Sequence, residues 1–172
     1  MKELIDEFFG KAVKLPTYFI ELGVIDGRSK ERTYEKVKDK KTGKFKKIAS
    51  VGITNAELMF IHENGSPLRH IPRRPVLGYT ILWANKEFLD KALDKALDKY
   101  IKSDFDESVY EQELQRACMR IESYARHMIY DNNGRLAPNA PRTIKEKGDN
   151  HPLFNTGQLA RSIVCRLVKI GG

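Results

Sequence analysis

The stretch DESVYEQELQRACMRIESYARHMIY, residues 106–130, has the pattern of one long amphipathic helix. Its apolar residues recur at alternating intervals of four and three, which places them on a single helical face. That face consists of Tyr110, Leu114, Ala117, Ile121, Tyr124 and Met128. Asp106 or Ser108 can cap its amino end, and DNNG at residues 131–134 is a typical terminator. We therefore expect this face to pack in the core.

A second long helix is predicted just before it, from Pro75 to about Lys102. Proline suits the first turn of a helix because its missing N–H would have no partner there. LDKALDKALDKY, residues 89–100, repeats every four residues, so Leu89, Leu93 and Leu97 form a stripe that drifts slowly around the helix. The charged residues between them form pairs worth only a few tenths of a kcal/mol each, and we expect them to face solvent.

Three shorter helices are indicated by apolar spacing and capping residues. Residues 2–13 have amphipathic spacing. Thr54 or Asn55 can start another helix that runs to about Glu63, before an Asn-Gly pair that can end it. Asn155 stands three residues before Gln158, which resembles a capping box and predicts a short helix from Thr156.

Strand signals lie at both ends of the chain. TYFIELGVI, residues 17–25, and SIVCRLVKI, residues 162–170, are rich in aromatic and β-branched residues. Residues 33–53 surround the turn-like KKTGK and favour a basic hairpin, with a disordered loop as the alternative. The order of elements predicts an α+β fold in which an antiparallel sheet packs against long helices. We expect a single domain, residues 1–172, with a projecting basic hairpin or loop at about 28–53.

Composition narrows the class of protein. The chain has 172 residues, of which 41% are hydrophobic and 31% charged, a balance typical of globular domains. No apolar run approaches the roughly 18 residues that a membrane helix needs, so we expect no membrane association. Cys118 and Cys165 lack CxxC spacing, and two reduced thiols are favoured over a disulfide.

The net charge of +8 is concentrated in one short segment. Residues 28–47 contain ten Lys or Arg against three acidic residues, a net +7, so the rest of the chain is nearly neutral. Such a segment can bind nucleic acid by releasing counterions, or it can contact an acidic protein. The candidate contacts to DNA or to a neighbouring protein are Lys36, Lys38, Lys40, Lys41, Lys44, Lys46 and Lys47.

Chemistry is suggested first by IHENGSPLRHIPRRP, residues 61–75, with its two histidines and a glutamate. A zinc-binding HExxH motif needs a second histidine four residues after the first, but Ser66 stands there. No catalytic triad, phosphate loop or paired carboxylates stand out, so we predict no catalytic residues, no cofactor and no metal. The prolines instead predict a stiff, extended connector from Gly65 to Pro75. Its candidate assembly contacts are Ile71, Pro72, Arg73, Arg74 and Pro75.

Two segments resemble the signatures of the tail-completion or neck proteins of tailed bacteriophages. NAELMFIHENGSPLRHIPRRPVL, residues 55–77, is similar to a pattern A-x-I-x-x-I-H-E-x-G followed by I-P-x-R-P-F-L. APNAPRTIKEKGDNHPLFNTGQLARSI, residues 137–163, is similar to a second pattern, P-x-S-P-x-T-I-x-x-K-G followed by P-L-x-D-T-G-x-L-x-x-S-I. The matches in the second segment are Pro138, Pro141, Thr143, Ile144, Lys147, Gly148, Pro152, Leu153, Thr156, Gly157, Leu159, Ser162 and Ile163.

This resemblance implies a structural virion protein at the head–tail junction, assembled in the host cytoplasm, without catalytic residues. It implies a homo-oligomeric ring, a hexamer by preference with a dodecamer as the alternative, that contacts other neck and tail proteins. DNA in the channel is a further candidate partner. The rival interpretation is a nucleic-acid-binding module that acts through residues 28–47.

Overall fold

The computed structural model describes residue 10 and residues 15–25, 37–38, 45–46, 52–131 and 134–170. Its helices are α1 (Asn55–Asn64), α2 (Val76–Trp83), α3 (Leu89–Lys102), α4 (Glu107–Tyr130), α5 (Pro141–Lys147) and α6 (Gln158–Ser162). Its strands are β1 (Thr17–Gly23), β2 (Val37–Lys38), β3 (Phe45–Lys46) and β4 (Val164–Ile170). The architecture is α+β, as the sequence predicts. The predicted helix at residues 2–13 lies almost entirely outside the described residues.

The central element is α4, whose predicted face is confirmed. The Asp106 carboxylate accepts a hydrogen bond from the Ser108 N–H at 2.8 Å and caps the amino end. The predicted apolar face is buried, except for Tyr124, which is half-buried. Helix α4 packs against α2, α3 and α6 and against both long strands, because its buried residues extend along its whole length.

Helices α3 and α4 meet through residues that the leucine stripe did not indicate. Ala96 is fully buried and Tyr100 packs on Tyr110, with ring centroids 5.5 Å apart, whereas Leu93 is 39% exposed. A small side chain at the crossing lets the two helix backbones approach closely, and the leucines line the margin instead. The interface also contains Glu113, a buried carboxylate that pairs with Lys95, Lys99 and Arg116.

A π-helical turn, Ala84–Phe88, separates α2 from α3. Hydrogen bonding from residue i to i+5 brings residues five apart onto one face, which an α-helix would not do. Trp83 and Phe88 therefore stack with ring centroids 5.2 Å apart. Trp83 also stacks on Tyr124 of α4 at 3.9 Å, and this aromatic stack fixes the long helical segment onto α4.

The two long strands pair with each other to form the sheet. β1 and β4 are antiparallel, with Thr17 opposite Ile170 and Gly23 opposite Val164. Tyr18, Leu22 and Leu167 pack against the buried cores, so one sheet face covers the helices. β2 and β3 pair separately as a short antiparallel ladder within the predicted basic hairpin.

The two cysteines, distant in sequence, are neighbours in the fold. Cys118 lies on α4 and Cys165 on β4, and both are free thiols. They hydrogen-bond to each other, which lowers the pKa of Cys118 and raises the pKa of Cys165.

Candidate functional site

The proline connector is only partly extended. The backbones of Ser66 and Ile71 exchange two hydrogen bonds of 2.9 Å, and a 3₁₀ turn, Pro67–Arg69, fills the loop between them. His70 completes the loop with φ of 52°, in the left-handed region. The prediction of an extended chain from Gly65 to Pro75 is therefore wrong for its first half. Pro67 starts a turn there, because its fixed φ angle suits the first position of a helical turn.

Gly65 allows the connector to fold back on α1. Its φ is 75°, and a Cβ there would lie 2.9 Å from Arg73 Cγ and 3.1 Å from the Ile71 oxygen. A side chain at residue 65 would push apart the two backbone segments of the loop. Glycine at the end of α1 therefore serves both as helix terminator and as the point of closest approach.

Glu63 caps α2 from a distance. Its carboxylate accepts hydrogen bonds from the N–H groups of Leu77, at 3.1 Å, and Gly78, at 2.7 Å. The N–H groups in the first turn of a helix have no partner within the helix, and an acidic side chain there also suits the helix dipole. Arg73 Nε donates to the Glu63 carbonyl at 3.2 Å. The glutamate of the HEN sequence is thus part of the scaffold of the connector.

Arg74 is buried, at 5% exposure, and joins the two signature segments. Its Nε donates to the Ala137 carbonyl and its Nη2 to the Pro138 carbonyl, both at 2.7 Å. These two bonds hold the subunit together, and the role of Arg74 as an assembly contact stays a prediction. Of the other candidates, Pro72 and Arg73 are exposed, and Ile71 and Pro75 are half-buried.

The Arg74 guanidinium also binds His62. Arg74 Nη1 lies 3.2 Å from His62 Nδ1. Arginine can only donate, so His62 Nδ1 must be the unprotonated ring nitrogen. Burial lowers the pKa of Arg74, although a guanidinium stays charged in proteins. His62, for which the sequence predicts no metal-binding role, therefore supports the buried cation.

The second segment folds back through main-chain contacts. Pro141 starts α5, and Gly148, with φ of 85°, ends it. Lys147 Nζ then donates to the carbonyls of His151, at 2.9 Å, and Phe154. The His151 ring donates from Nε2 to the Ile129 carbonyl of α4 at 2.7 Å. These contacts hold residues 148–154 in an irregular path against α4.

Asn155 does not cap the last helix. Gly157, with φ of 72°, is the N-cap of α6, and Asn155 is exposed. The Thr156 hydroxyl accepts from the Gln158 N–H at 3.3 Å, so a shorter local turn replaces the expected capping box. A Cβ at Gly157 would lie 3.2 Å from the Tyr130 hydroxyl, and the close approach of α4 explains the glycine.

The two signature segments enclose a cleft of about 430 Å³, which we call the Arg74 cleft. Its apolar walls are Leu58, Ile71, Leu153 and Phe154. Its polar walls include His62, Arg69, His70, Arg74, Asn139 and Lys147. Asn139 Nδ2 is buried and has no hydrogen-bond acceptor. The cleft is therefore rich in donors and positive charge.

Helix α2 presents a second surface, made of Tyr79, Ile81 and Leu82, which we call the α2 apolar surface. These side chains are 41%, 49% and 50% exposed. The sequence of α2, VLGYTILW, contains no charged residue. A helix without charged residues is normally buried, so the exposure of these side chains is unusual.

The basic segment is described only in part. Lys38 lies in β2 and Lys46 in β3. Lys36, Lys40, Lys41, Lys44 and Lys47 lie outside the described residues.

Within residues 15–25, 37–38, 45–46, 52–131 and 134–170, no group of three or more His, Cys, Asp or Glu could hold a metal ion. In that same part of the chain, no helix has the length and apolar character to cross a membrane.

Comparisons of the chain with family models, with curated proteins and with solved structures found no match.

Sequence reasoning missed the roles of Glu63, Asn139 and Lys147. Glu63 contacts Leu77 across a separation of 14 residues, which no helical or strand period relates. Lys147 contacts carbonyls of the irregular segment that follows α5, and Asn139 lines the cleft because the two segments fold together. The resemblance was the sequence signal that linked the two segments, because its two patterns, matched by residues 55–77 and 137–163, occur together in one family of proteins.

Proposed function

We propose that this chain is a structural virion protein of a tailed bacteriophage, which assembles as a ring that completes the tail or joins it to the head connector. One observation carries the proposal. The two segments that resemble the neck-protein signatures are bound together through Arg74, which reaches from the first segment to Ala137 and Pro138 of the second. This contact supports the interpretation that the two segments form one unit.

The α2 apolar surface supplies a candidate subunit contact. Ring subunits need two complementary but different faces whose rotation closes. The α2 apolar surface follows the exposed Pro72 and Arg73 of the connector along the chain, so a neighbouring subunit could cover both. Arg74 stays inside the subunit and stiffens this edge.

The first experiment measures assembly. We expect the purified protein to form closed rings, with six copies favoured over twelve, in analytical ultracentrifugation and negative-stain electron microscopy. Leu82→Glu places a charge on the α2 apolar surface and should leave folded monomers. Asn85→Glu introduces the same charge at an exposed position outside that surface and should form rings like the parent. A parent protein that stays monomeric at all concentrations would contradict the proposal.

The second experiment places the protein in the particle. In virions assembled without it, we expect free tails beside filled heads. Replacing Pro72 and Pro75 with glycine should give a folded subunit that joins poorly. A normal yield of particles from that variant would contradict a role of the connector in the assembly contact.

The competing function is a nucleic-acid-binding module that acts through residues 28–47. A mobility-shift titration at moderate salt separates the two. Tight, salt-dependent DNA binding by a monomer supports the module, since phosphate contacts release counterions. Weak binding by a self-associated protein supports the ring.

A further inference from the structure

Arg74 carries a buried charge whose hydrogen bonds all go to neutral groups. Its partners are the carbonyls of Ala137 and Pro138 and the His62 ring. None of the described carboxylates forms an ion pair with it or lines the Arg74 cleft. A buried cation without a counter-ion is unfavourable, and proteins normally supply a paired anion at such a place.

A second group in the same cleft lacks an acceptor. The side-chain amide of Asn139 is buried at Nδ2 and donates to nothing, although it lines the cleft beside Arg74. Its backbone N–H is already bound to the Asn150 side chain at 2.9 Å, so the segment itself is held in place. A ligand with acceptor oxygens and a negative charge would satisfy both groups, once a small rotation of the Asn139 side chain turns its buried Nδ2 towards the cleft.

The walls of the cleft indicate what carries that anion. The volume of about 430 Å³ lies in the range of small-ligand pockets, and apolar side chains such as Leu58 and Phe154 form part of the wall. A duplex phosphate lies on a wide, rigid backbone and could not reach the side chain of Arg74, a residue that is 5% exposed. A peptide side chain that ends in a planar carboxylate fits both the apolar wall and the guanidinium.

We propose that the Arg74 cleft binds the carboxylate of a glutamate or aspartate side chain presented by a partner protein. Arg74 supplies the counter-charge and Asn139 donates a hydrogen bond to the same carboxylate. Arg69 and His70, exposed at the cleft, add positive charge that attracts an acidic segment. This inference does not depend on where the protein is located, and it holds whether or not the chain forms rings.

The test compares two capped peptides that differ only in charge. Acetyl-Leu-Glu-Leu-amide and acetyl-Leu-Gln-Leu-amide are titrated into ¹⁵N-labelled protein in a low-chloride buffer. The side-chain amide signal of Asn139 is followed by NMR together with the backbone amide signals of Ile71 and Thr143, which line the cleft and are present in every variant. A single charge-assisted contact to so small a peptide should bind in the millimolar range. We expect the Glu peptide to shift the Asn139 signal with saturation, and the Gln peptide to bind at least about tenfold more weakly.

Three variants connect binding to the named residues. Asn139→Ala should weaken binding of the Glu peptide several-fold without lowering the melting temperature, since it removes a donor that has no partner in the free protein. Arg69→Gln should weaken it less. Arg142→Gln, which changes an exposed arginine outside the cleft lining, should bind like the parent. A merely structural Asn139 would change stability and leave the affinity unaltered.

Two other probes identify competing ligands. Inorganic phosphate and a 12-nucleotide single strand of DNA are titrated in the same way. Phosphate or DNA binding that is tighter than Glu-peptide binding would overturn the carboxylate assignment. Equal affinity for the two peptides, or no shift up to about 50 mM Glu peptide, would overturn the proposal as well.

Discussion

The helical hairpin of α3 and α4 and the unit formed by the two signature segments hold their shapes by different means. In the hairpin, Ala96, Tyr100, Tyr110 and Leu114 form a continuous apolar cluster along regular helices. In the signature unit, single polar side chains such as Glu63 and Arg74 hold irregular backbone through its N–H and C=O groups. Regular backbone satisfies its own hydrogen bonds, and irregular backbone needs side chains to do so.

The largest effect is expected in the hairpin. Leu114→Ala should lower the free energy of unfolding by about 2–5 kcal/mol, because it removes a buried side chain and leaves a cavity. Urea denaturation measures this directly. Ile101→Ala, at a position that is 48% exposed on the neighbouring helix, is the control and should cost far less. Similar losses at both positions would contradict the packing described for the hairpin.

The next effect tests the polar contacts of the signature unit. Arg74→Met should cost about 2 kcal/mol, because two carbonyls lose their donors while the cost of burying the charge is relieved. Hydrogen exchange should rise first at residues 137–163, before any change in α3. Arg69→Met, at an exposed position, is the matched control. If Arg74→Met were as stable as the parent, these contacts would not hold the unit together.

Those two regions also differ in how far the sequence predicted them. Hydrophobic periodicity and capping residues predicted the buried face of α4, the start of α1 at Thr54 and the two long strands. These patterns relate residues that are close in the chain. The fold of the connector did not follow, because the pairing of Ser66 with Ile71 and the burial of Arg74 depend on residues far away. Sequence patterns likewise missed Glu113, whose partners lie on two different helices.

A smaller effect concerns the one buried carboxylate of the hairpin. The hydrogen bond from Lys99, with the charges of Arg116 and Lys95, lowers the pKa of Glu113 below its ordinary 4.5. A carboxyl whose pKa is lower in the folded state stabilises the fold above the unfolded pKa and loses that effect as pH falls through the folded value. The difference in unfolding free energy between the parent and Glu113→Gln should therefore be constant above about pH 5 and shrink in more acidic solution.

The smallest effects are expected at Thr54 and Asn155, two residues that the sequence predicts as helix caps. The Thr54 hydroxyl accepts from the Glu57 N–H at 3.1 Å, and the Glu57 carboxylate accepts from the Thr54 N–H at 2.7 Å. Thr54→Ala should therefore cost about 1 kcal/mol. Asn155→Ala should cost less than about 0.5 kcal/mol, because Asn155 is exposed and caps nothing. Thermal denaturation of both variants measures these losses of stability. A larger loss for Asn155→Ala than for Thr54→Ala would support the capping box that the sequence predicts at Asn155.

The pairing of β1 with β4 sets an order of events in folding. α3 and α4 adjoin each other in the chain and can dock as soon as both are synthesised, whereas β1 has no partner until the last residues of β4 are available. Until then β1 exposes an unpaired edge, which is open to wrong pairing. If the strands pair late, the contacts between β1 and β4 form after the folding transition state. Leu22→Ala should then accelerate unfolding and leave the folding rate nearly unchanged, which stopped-flow kinetics can measure.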